Sequence, residues 1–377
     1  MLVPLHPLYP LLFAAHGLSD AEISSLFVVW ALTTLLVEVP SGAWADAWSR
    51  RGLLALSAVL EAVAFGAWVL LPSYGVFAAG FVVWGVASAM DSGTLEALVH
   101  DELERRGEGG RFATLMGRAR AGGLLAALMA GLIAAPLSAL GGYGLVGTAS
   151  VLACLTTAAL ARSLPEPPVP EPGSAEGPPP DGSADDPTDD PIAGWSAMLR
   201  DGVREVRRDP VVRRAVLIAA AVAGLVAADE YLPLLLEDRG AGAGLVAVLT
   251  GVIGLAEAVG AGLAGRVGHH RAAWLAAGTA VLLAVGSLVP LVPAVVALAL
   301  GYGLAQALLV LVDTAVQETV TGAARATVTS LSGLGAETVA IAVFAAVGLG
   351  SVWFALPVVL AATALPLLAV AGRLRRR

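Results

Sequence analysis

Apolar residues come in long, nearly unbroken runs, separated by short polar stretches. A membrane-spanning helix needs ~20 consecutive apolar residues, with a range of about 17–25. Eleven runs reach that length, near 25–42, 53–71, 76–98, 119–138, 142–161, 212–234, 243–264, 272–291, 293–314, 327–347 and 352–372. A shorter run, 1–15, precedes them and carries Pro4, Pro7 and Pro10. Fifteen residues rise only about 22 Å, against a hydrocarbon core of ~30 Å. The run has no basic leader region and no small-residue cleavage site, so it fits a signal peptide poorly. The expectation is a first helix that begins upstream of Met1.

Arginine sets the orientation. All 22 basic residues are Arg, with no Lys. With residues 1–15 counted as a span, 21 of the 22 fall on one side and Arg239 is the exception. That side is expected to be cytoplasmic, together with the C-terminus. Omitting one span scrambles the pattern. The expected fold is therefore all-α, a polytopic membrane protein of twelve transmembrane helices in two six-helix halves.

The halves follow from the one long loop. The stretch 165–191 holds eight acids and no base, which accounts for the whole net charge of −8. It is rich in Pro and Gly, cannot bury apolar area, and is expected to be disordered. After it, Trp195, Met198, Leu199, Val203 and Val206 share one helical face, as in a helix lying on the membrane surface. The predicted units are 1–161, a linker with surface helix over 162–210, and 211–377. Two-half transporters are built this way, with a site between the halves near the midplane.

Composition closes off other classes. Hydrophobic residues make up 57% and charged residues 14%, against ~25% charged in an average soluble domain. This excludes a soluble enzyme, a disordered chain and a nucleic-acid binder. The one cysteine, Cys154, rules out a disulfide framework. His269-His270 has no cysteine or acid beside it, so no metal site is expected. No Walker loop, G-x-S-x-G or H-E-x-x-H motif occurs, so neither a catalytic residue nor a cofactor is assigned.

After span two the chain reads SGAWADAWSRRG, so that Gly42, Asp46, Arg50 and Arg51 fit G-x3-D-x3-R-R. This resembles the signature loop between helices two and three of the major facilitator superfamily. EVPSGAWAD, SGTLEALVHDEL and RATVTS are similar to a poorly characterised, actinobacterial-type branch of it. The resemblance implies secondary transport by alternating access, a cavity lined by helices one, four, seven and ten, and a latch role for the loop. Positive-inside anchoring alone also accounts for Arg50 and Arg51. Two features depart from the superfamily's drug–proton antiporters. Span four has Asp91 where a basic residue is common, and span five reads Ala135-Pro136 without the preceding Gly.

Ionisable residues within spans cost energy and are candidates for function. Spans four and ten share Asp-x4-Glu: Asp91 with Glu96, and Asp313 with Glu318. All four are expected toward the inner side, where Glu96 and Glu318 also suit the interface. Asp229 and Glu230 are expected in the outer third of span seven. They point about 100° apart, and two carboxylates so close disfavour double ionisation, as a proton carrier requires. Beside Tyr231 they also suit the outer headgroup layer. Span one offers His6 and Tyr9. Glu257 and Glu61 lie deep in spans eight and three, away from the superfamily's cavity helices. Gln306 and Gln317 offer neutral hydrogen bonds, and Tyr302 and Trp84 offer stacking or plain packing. Arg118 and Arg120 can pair with Glu96 or Asp101 as an inner gate, or reach lipid phosphates.

The leading expectation is export of a small amphipathic or cationic compound from the inner (plasma) membrane in exchange for protons. Proton-coupled uptake of a nutrient is the alternative within the class. A non-transporting receptor or scaffold of the same fold is the alternative outside it. The expected partners are the small-molecule substrate, protons and the bilayer.

Overall fold

The computed structural model describes residues 2–47, 49–165, 204, 206, 208–319 and 324–375, with 38–47, 113 and 324–327 as backbone only. The helices are α1 (Tyr9–Ala15), α2 (Asp20–Ala47), α3 (Arg50–Leu70), α4 (Tyr74–Asp91), α5 (Thr94–Arg105), α6 (Phe112–Arg162), α7 (Pro210–Val226), α8 (Leu232–Asp238), α9 (Ala243–Leu263), α10 (Ala272–Leu288), α11 (Leu291–Thr319), α12 (Ala324–Gly350), α13 (Leu356–Ala364) and α14 (Pro366–Arg375). Among the described residues there is no strand. Most of the linker and its surface helix lie outside the described residues.

Among the described residues, ten segments are long and apolar enough to cross a membrane. One of them contains α6, which is two crossings. Gly141 and Gly142 leave helical geometry, and Gly142 adopts a φ of 58°, a conformation costly for any residue with a Cβ. Before this break, Leu128 lies against Gly251, and Gly131 against the carbonyl of Ala247. After it, Gly147 packs on Val69 and Ala158 clusters with Leu54 and Ala58. The chain thus descends α9 in the first part and α3 in the second, reversing between them. That makes eleven long crossings. Ahead of them stands the short α1, with the turns of residues 4–8 in front of it. Pro4, Pro7 and Pro10 remove backbone donors and prevent a regular helix there. Leu5, Leu8, Leu11 and Phe13 are nonetheless fully buried.

Other crossings are broken where the chain chemistry demands it. Gly93, with φ 70°, separates α4 from α5. Pro366 separates α13 from α14. The loop after span two is short: α2 ends at Ala47, and the Ser49 hydroxyl caps α3 by accepting from the Gly52 amide at 3.1 Å. Gly42 and Asp46 lie on the backbone of α2, but their side chains lie outside the described residues.

Among the described residues, the most extensive contacts between the halves are those of α2 with α12 and of α6 with α9. Both approach closely at their Arg-poor ends. A Cβ on Gly348 would meet the Ser24 Cβ at 3.0 Å, and one on Gly131 would meet the Ala247 carbonyl at 2.4 Å. Small residues allow this in lipid, where packing rather than hydrophobic exclusion drives helix association. At the Arg-rich ends, Leu124 and Leu125 of α6 and Asp313 and Glu318 of α11 are exposed. The closest approaches between the halves, among the described residues, thus lie toward the Arg-poor face.

Arg239, the one arginine at the Arg-poor face, is a structural group. Its guanidinium donates to the Val289 carbonyl at 2.6 Å and to those of Ser287 and Leu235. It thereby satisfies carbonyls left open at the end of α10.

Close helix approach gives the first prediction. A Cβ on Gly260 would lie 1.9 Å from the Gly303 carbonyl, whereas one on Gly262 meets nothing within 4 Å. Gly260→Ala is expected to destabilise the protein by about 1–3 kcal/mol. Gly262→Ala is expected to be neutral, or to stabilise by up to ~1 kcal/mol through helix propensity. Thermal unfolding in detergent reads both. Equal melting temperatures would refute the α9–α11 contact.

Candidate functional site: a carboxylate and aromatic cavity

The site begins with a proline. Pro233 cannot donate to the carbonyl four residues back, and its ring crowds that carbonyl, which belongs to Asp229. The chain responds with a 3₁₀ turn over Ala227–Tyr231, and so α7 and α8 are separate helices within one crossing. Asp229 and Glu230 sit in that turn. They lie eight or nine residues from the Asp238 end of α8. At 1.5 Å per residue that is roughly 12–14 Å below the Arg-poor face, nearer mid-depth than the outer third.

A cavity of about 420 Å³ opens beside the turn. Its acids are Asp229, Glu230 and Glu257. Its rings are His6, Tyr9, Trp30 and Trp84. Leu128 and Thr250 belong to the remaining wall, and among the described residues no arginine lines it. The Tyr9 hydroxyl donates to Glu230 Oε2. The Tyr9 ring lies 5.7 Å from that of Trp84, and Trp84 stacks on Trp30 at 5.0 Å and 16°. His6 meets Trp84 edge-on at 5.0 Å. Tyr9 therefore links an aromatic wall from the N-terminal half to the carboxylates of the C-terminal half.

The neighbouring Tyr231 also reaches across. Its ring is fully buried, and its hydroxyl donates to Ser24 Oγ at 2.8 Å. It packs on Phe27 at 5.2 Å, and Phe27 packs on Phe344 at 5.4 Å. Consecutive residues of one turn thus touch different things. Glu230 faces the cavity, and Tyr231 belongs to the seal above it. The headgroup-layer reading of Tyr231 is corrected, because a ring with no exposure is not an interfacial anchor.

Other sequence candidates are distributed elsewhere. Glu257 joins the cavity although its helix was expected to be peripheral; the face of α9 that carries it borders the opening between the halves. Asp91 and Asp313 are exposed at the Arg-rich ends of α4 and α11, and do not line this cavity. Glu96 is half-buried and Glu318 exposed. Glu61 is buried on α3, and Gln306 is half-buried on α11; neither lines the cavity. Arg50 pairs with Asp101. Of the groups expected at an inner gate, Asp101 is held by Arg50 of span three, Arg118 and Arg120 are exposed, and Glu96 is half-buried. Arg51 is exposed as well. Trp30 and Thr250 were missed. Nothing in an apolar run distinguishes the residue that faces a cavity from the one that faces lipid.

A family model described as "Major Facilitator Superfamily" matches residues 5–345. The chain belongs to the major facilitator superfamily. No curated protein matches the sequence. Solved structures give the fold independently. The nucleoside transporter NupG (D323A mutant) aligns with a TM-score of 0.73 at 14% identity, covering 99% of this chain and 93% of that one. The D-xylose-proton symporter aligns at 0.68 and 14%, covering 99% and 92%. A bacterial homolog of the human lysosomal transporter Spinster, in an inward-facing and unoccupied conformation, aligns at 0.66 and 18%, covering 99% and 88%. As a facilitator this is a multi-pass membrane transporter of small molecules and not an enzyme.

In a facilitator that is closed at one face, the contacts of the seal hold the state. Removing the Tyr231 hydroxyl by Tyr231→Phe is expected to loosen it. Val347 is fully buried on α12 beside the seal. A Val347→Cys probe should then react several-fold faster with a hydrophilic maleimide, over a background in which Cys154 is buried. An unchanged labelling rate would show that the bond to Ser24 does not hold the face shut.

Proposed function

We propose that this facilitator exports a small organic cation in exchange for protons. The observation that carries the reading is the convergence of Asp229, Glu230 and Glu257 with four aromatic rings on one cavity, with no arginine among its described lining residues. Carboxylates in a low-dielectric cavity favour a cationic occupant, and the faces of Trp and Tyr attract ammonium groups. A proton and a cation compete for the same carboxylates. That competition is the simplest form of exchange: each enters only when the other has left.

In this reading Asp229 and Glu230 are the principal carriers, and Glu257 assists from α9. Asp91 and Asp313 attract cations to the Arg-rich opening, which we assign to the cytoplasm along with the C-terminus. Residues 1–161 and 211–377 rock against each other, with 162–210 as the tether. Gly42, Asp46, Arg50 and Arg51 latch the Arg-rich face when it closes. The Arg50–Asp101 pair already fixes the start of α3 to α5 and so prepares one side of that latch.

Proton-coupled uptake is the second reading. It is favoured by likeness in fold to a protein named as a D-xylose-proton symporter.

Proteoliposomes with an imposed pH gradient separate the two. Ethidium is expected to move against the flow of protons, and to collapse with a protonophore. Asp229→Asn/Glu230→Gln together should cut that flux at least tenfold, and Glu257→Gln should reduce it less. Ethidium flux in the same direction as protons would favour uptake. Flux that is indifferent to all three substitutions would refute the carboxylate site.

A further inference from the structure

We propose that Trp274, with Arg271 and Arg375 beside it, seats the headgroup of an anionic phospholipid at the Arg-rich face of the C-terminal half. The site is separate from the cargo cavity, so the proposal stands whichever cargo the protein carries.

Three helices bring the groups together. α10 starts directly after Arg271, α14 ends at Arg375, and the two helices pack on each other. The Arg375 guanidinium lies over the Trp274 ring, 4.5 Å from its centroid. Arg271 stands three residues before Trp274, one turn nearer the surface on the same face. Arg214 of α7 donates to the Arg373 carbonyl, one of those left open at the end of α14, and so holds that end in place. Arg271, Trp274 and Arg375 are all exposed.

The charge on this spot is not balanced by the protein's own groups. Arg50, Arg105, Arg106 and Arg111 each pair with a carboxylate of the N-terminal half. Arg239 is met by three carbonyls. Among the described residues, the guanidinium groups of Arg271 and Arg375 form no ion pair and donate no hydrogen bond. Asp209 is occupied in capping α7, where it accepts from the Val211 and Val212 amides. Asp313 and Glu318 of the adjoining α11 pair with neither arginine.

Stacking engages only the face of a guanidinium. The N–H donors of Arg375 lie in its plane and stay available, as a fork that matches two phosphate oxygens. An exposed tryptophan suits the depth at which lipid phosphates lie. Apolar surface continues below. Val281 lies seven residues on from Trp274, and Leu368 seven residues back from Arg375. Each is two turns, about 10 Å, further toward the midplane on the same face of its helix. Both are exposed. Free guanidinium donors above an apolar strip fit a phospholipid better than a free anion. A zwitterionic headgroup would bring its own ammonium to the arginines, whereas an anionic one would not.

The test is native mass spectrometry of the full chain in detergent, with dioleoyl phosphatidylglycerol against dioleoyl phosphatidylcholine. The two lipids share chains and phosphate and differ in net charge. Phosphatidylglycerol is expected to bind about tenfold tighter. In Arg271→Gln/Arg375→Gln the preference is expected to fall to about twofold or less, and in Arg271→Gln alone to about threefold. Arg118→Gln/Arg120→Gln removes two exposed arginines of the other half and should keep the full preference. Thermal unfolding in phosphatidylcholine checks that each variant folds. Equal affinities in the natural protein would overturn the inference. So would an equal loss in the Arg118→Gln/Arg120→Gln variant, which is the diffuse attraction of any basic face. Displacement of the lipid by millimolar glycerol 3-phosphate would overturn it too, because the site would then be one for a free phosphate.

Discussion

Close approach of α2 to α12 and of α6 to α9 at one face is the constraint on which the remainder depends. In a bilayer, apolar side chains gain nothing by leaving lipid for another helix, so association rests on contact. Glycines at 131, 244 and 348 bring backbones near enough for that contact. Once both pairs meet at their Arg-poor ends, straight helices must diverge at the others. The cavity lies where divergence begins, with walls from both halves. Tyr9–Glu230 and Tyr231–Ser24 are then cross-half hydrogen bonds by position. Transport requires the seal to part, so these bonds belong to one state of the cycle.

Much of this was legible in the sequence. Apolar runs located the crossings, and arginine placement supported counting the short first segment. The G-x3-D-x3-R-R loop indicated the family. The carboxylates at 229 and 230 stood out because charge inside an apolar run is expensive. What the sequence hid was direction around each helix axis. A span that is apolar on all sides carries no stripe to orient it. Glu257 therefore could not be assigned to the cavity, nor Trp30 and Thr250 recognised as wall. Asp91 and Asp313 lie toward the side expected for them. Their shared spacing marked them as a pair, but depth along the helix decides whether an acid reaches the cavity. Both lie beyond it, at the Arg-rich ends.

Pro233 explains why charge and helix break coincide. A continuous helix would bury the Asp229 carbonyl in an ordinary backbone bond. The proline forbids that bond, and lipid offers no substitute. Irregular backbone at this depth is tolerated only beside protein or a cavity. The break thus selects its own surroundings, and those surroundings are the only ones in which two acids at mid-depth are tolerable. Discontinuous helices at the midplane recur in transporters for this reason.

Function can then be argued from what the folded state leaves unbalanced. Three carboxylates share a cavity with no arginine among its described lining residues, and two residues of its wall carry buried polar atoms without partners. A protein selected only for stability would pair or remove them. Within the N-terminal half the same chain buries Trp68 with its indole N–H satisfied, donating to the Phe77 carbonyl at 3.1 Å. The ability to satisfy a buried indole is therefore present. Trp30, which stacks on Trp84, has no such partner. A transporter gains from such an imbalance, because a compound that relieves it binds selectively.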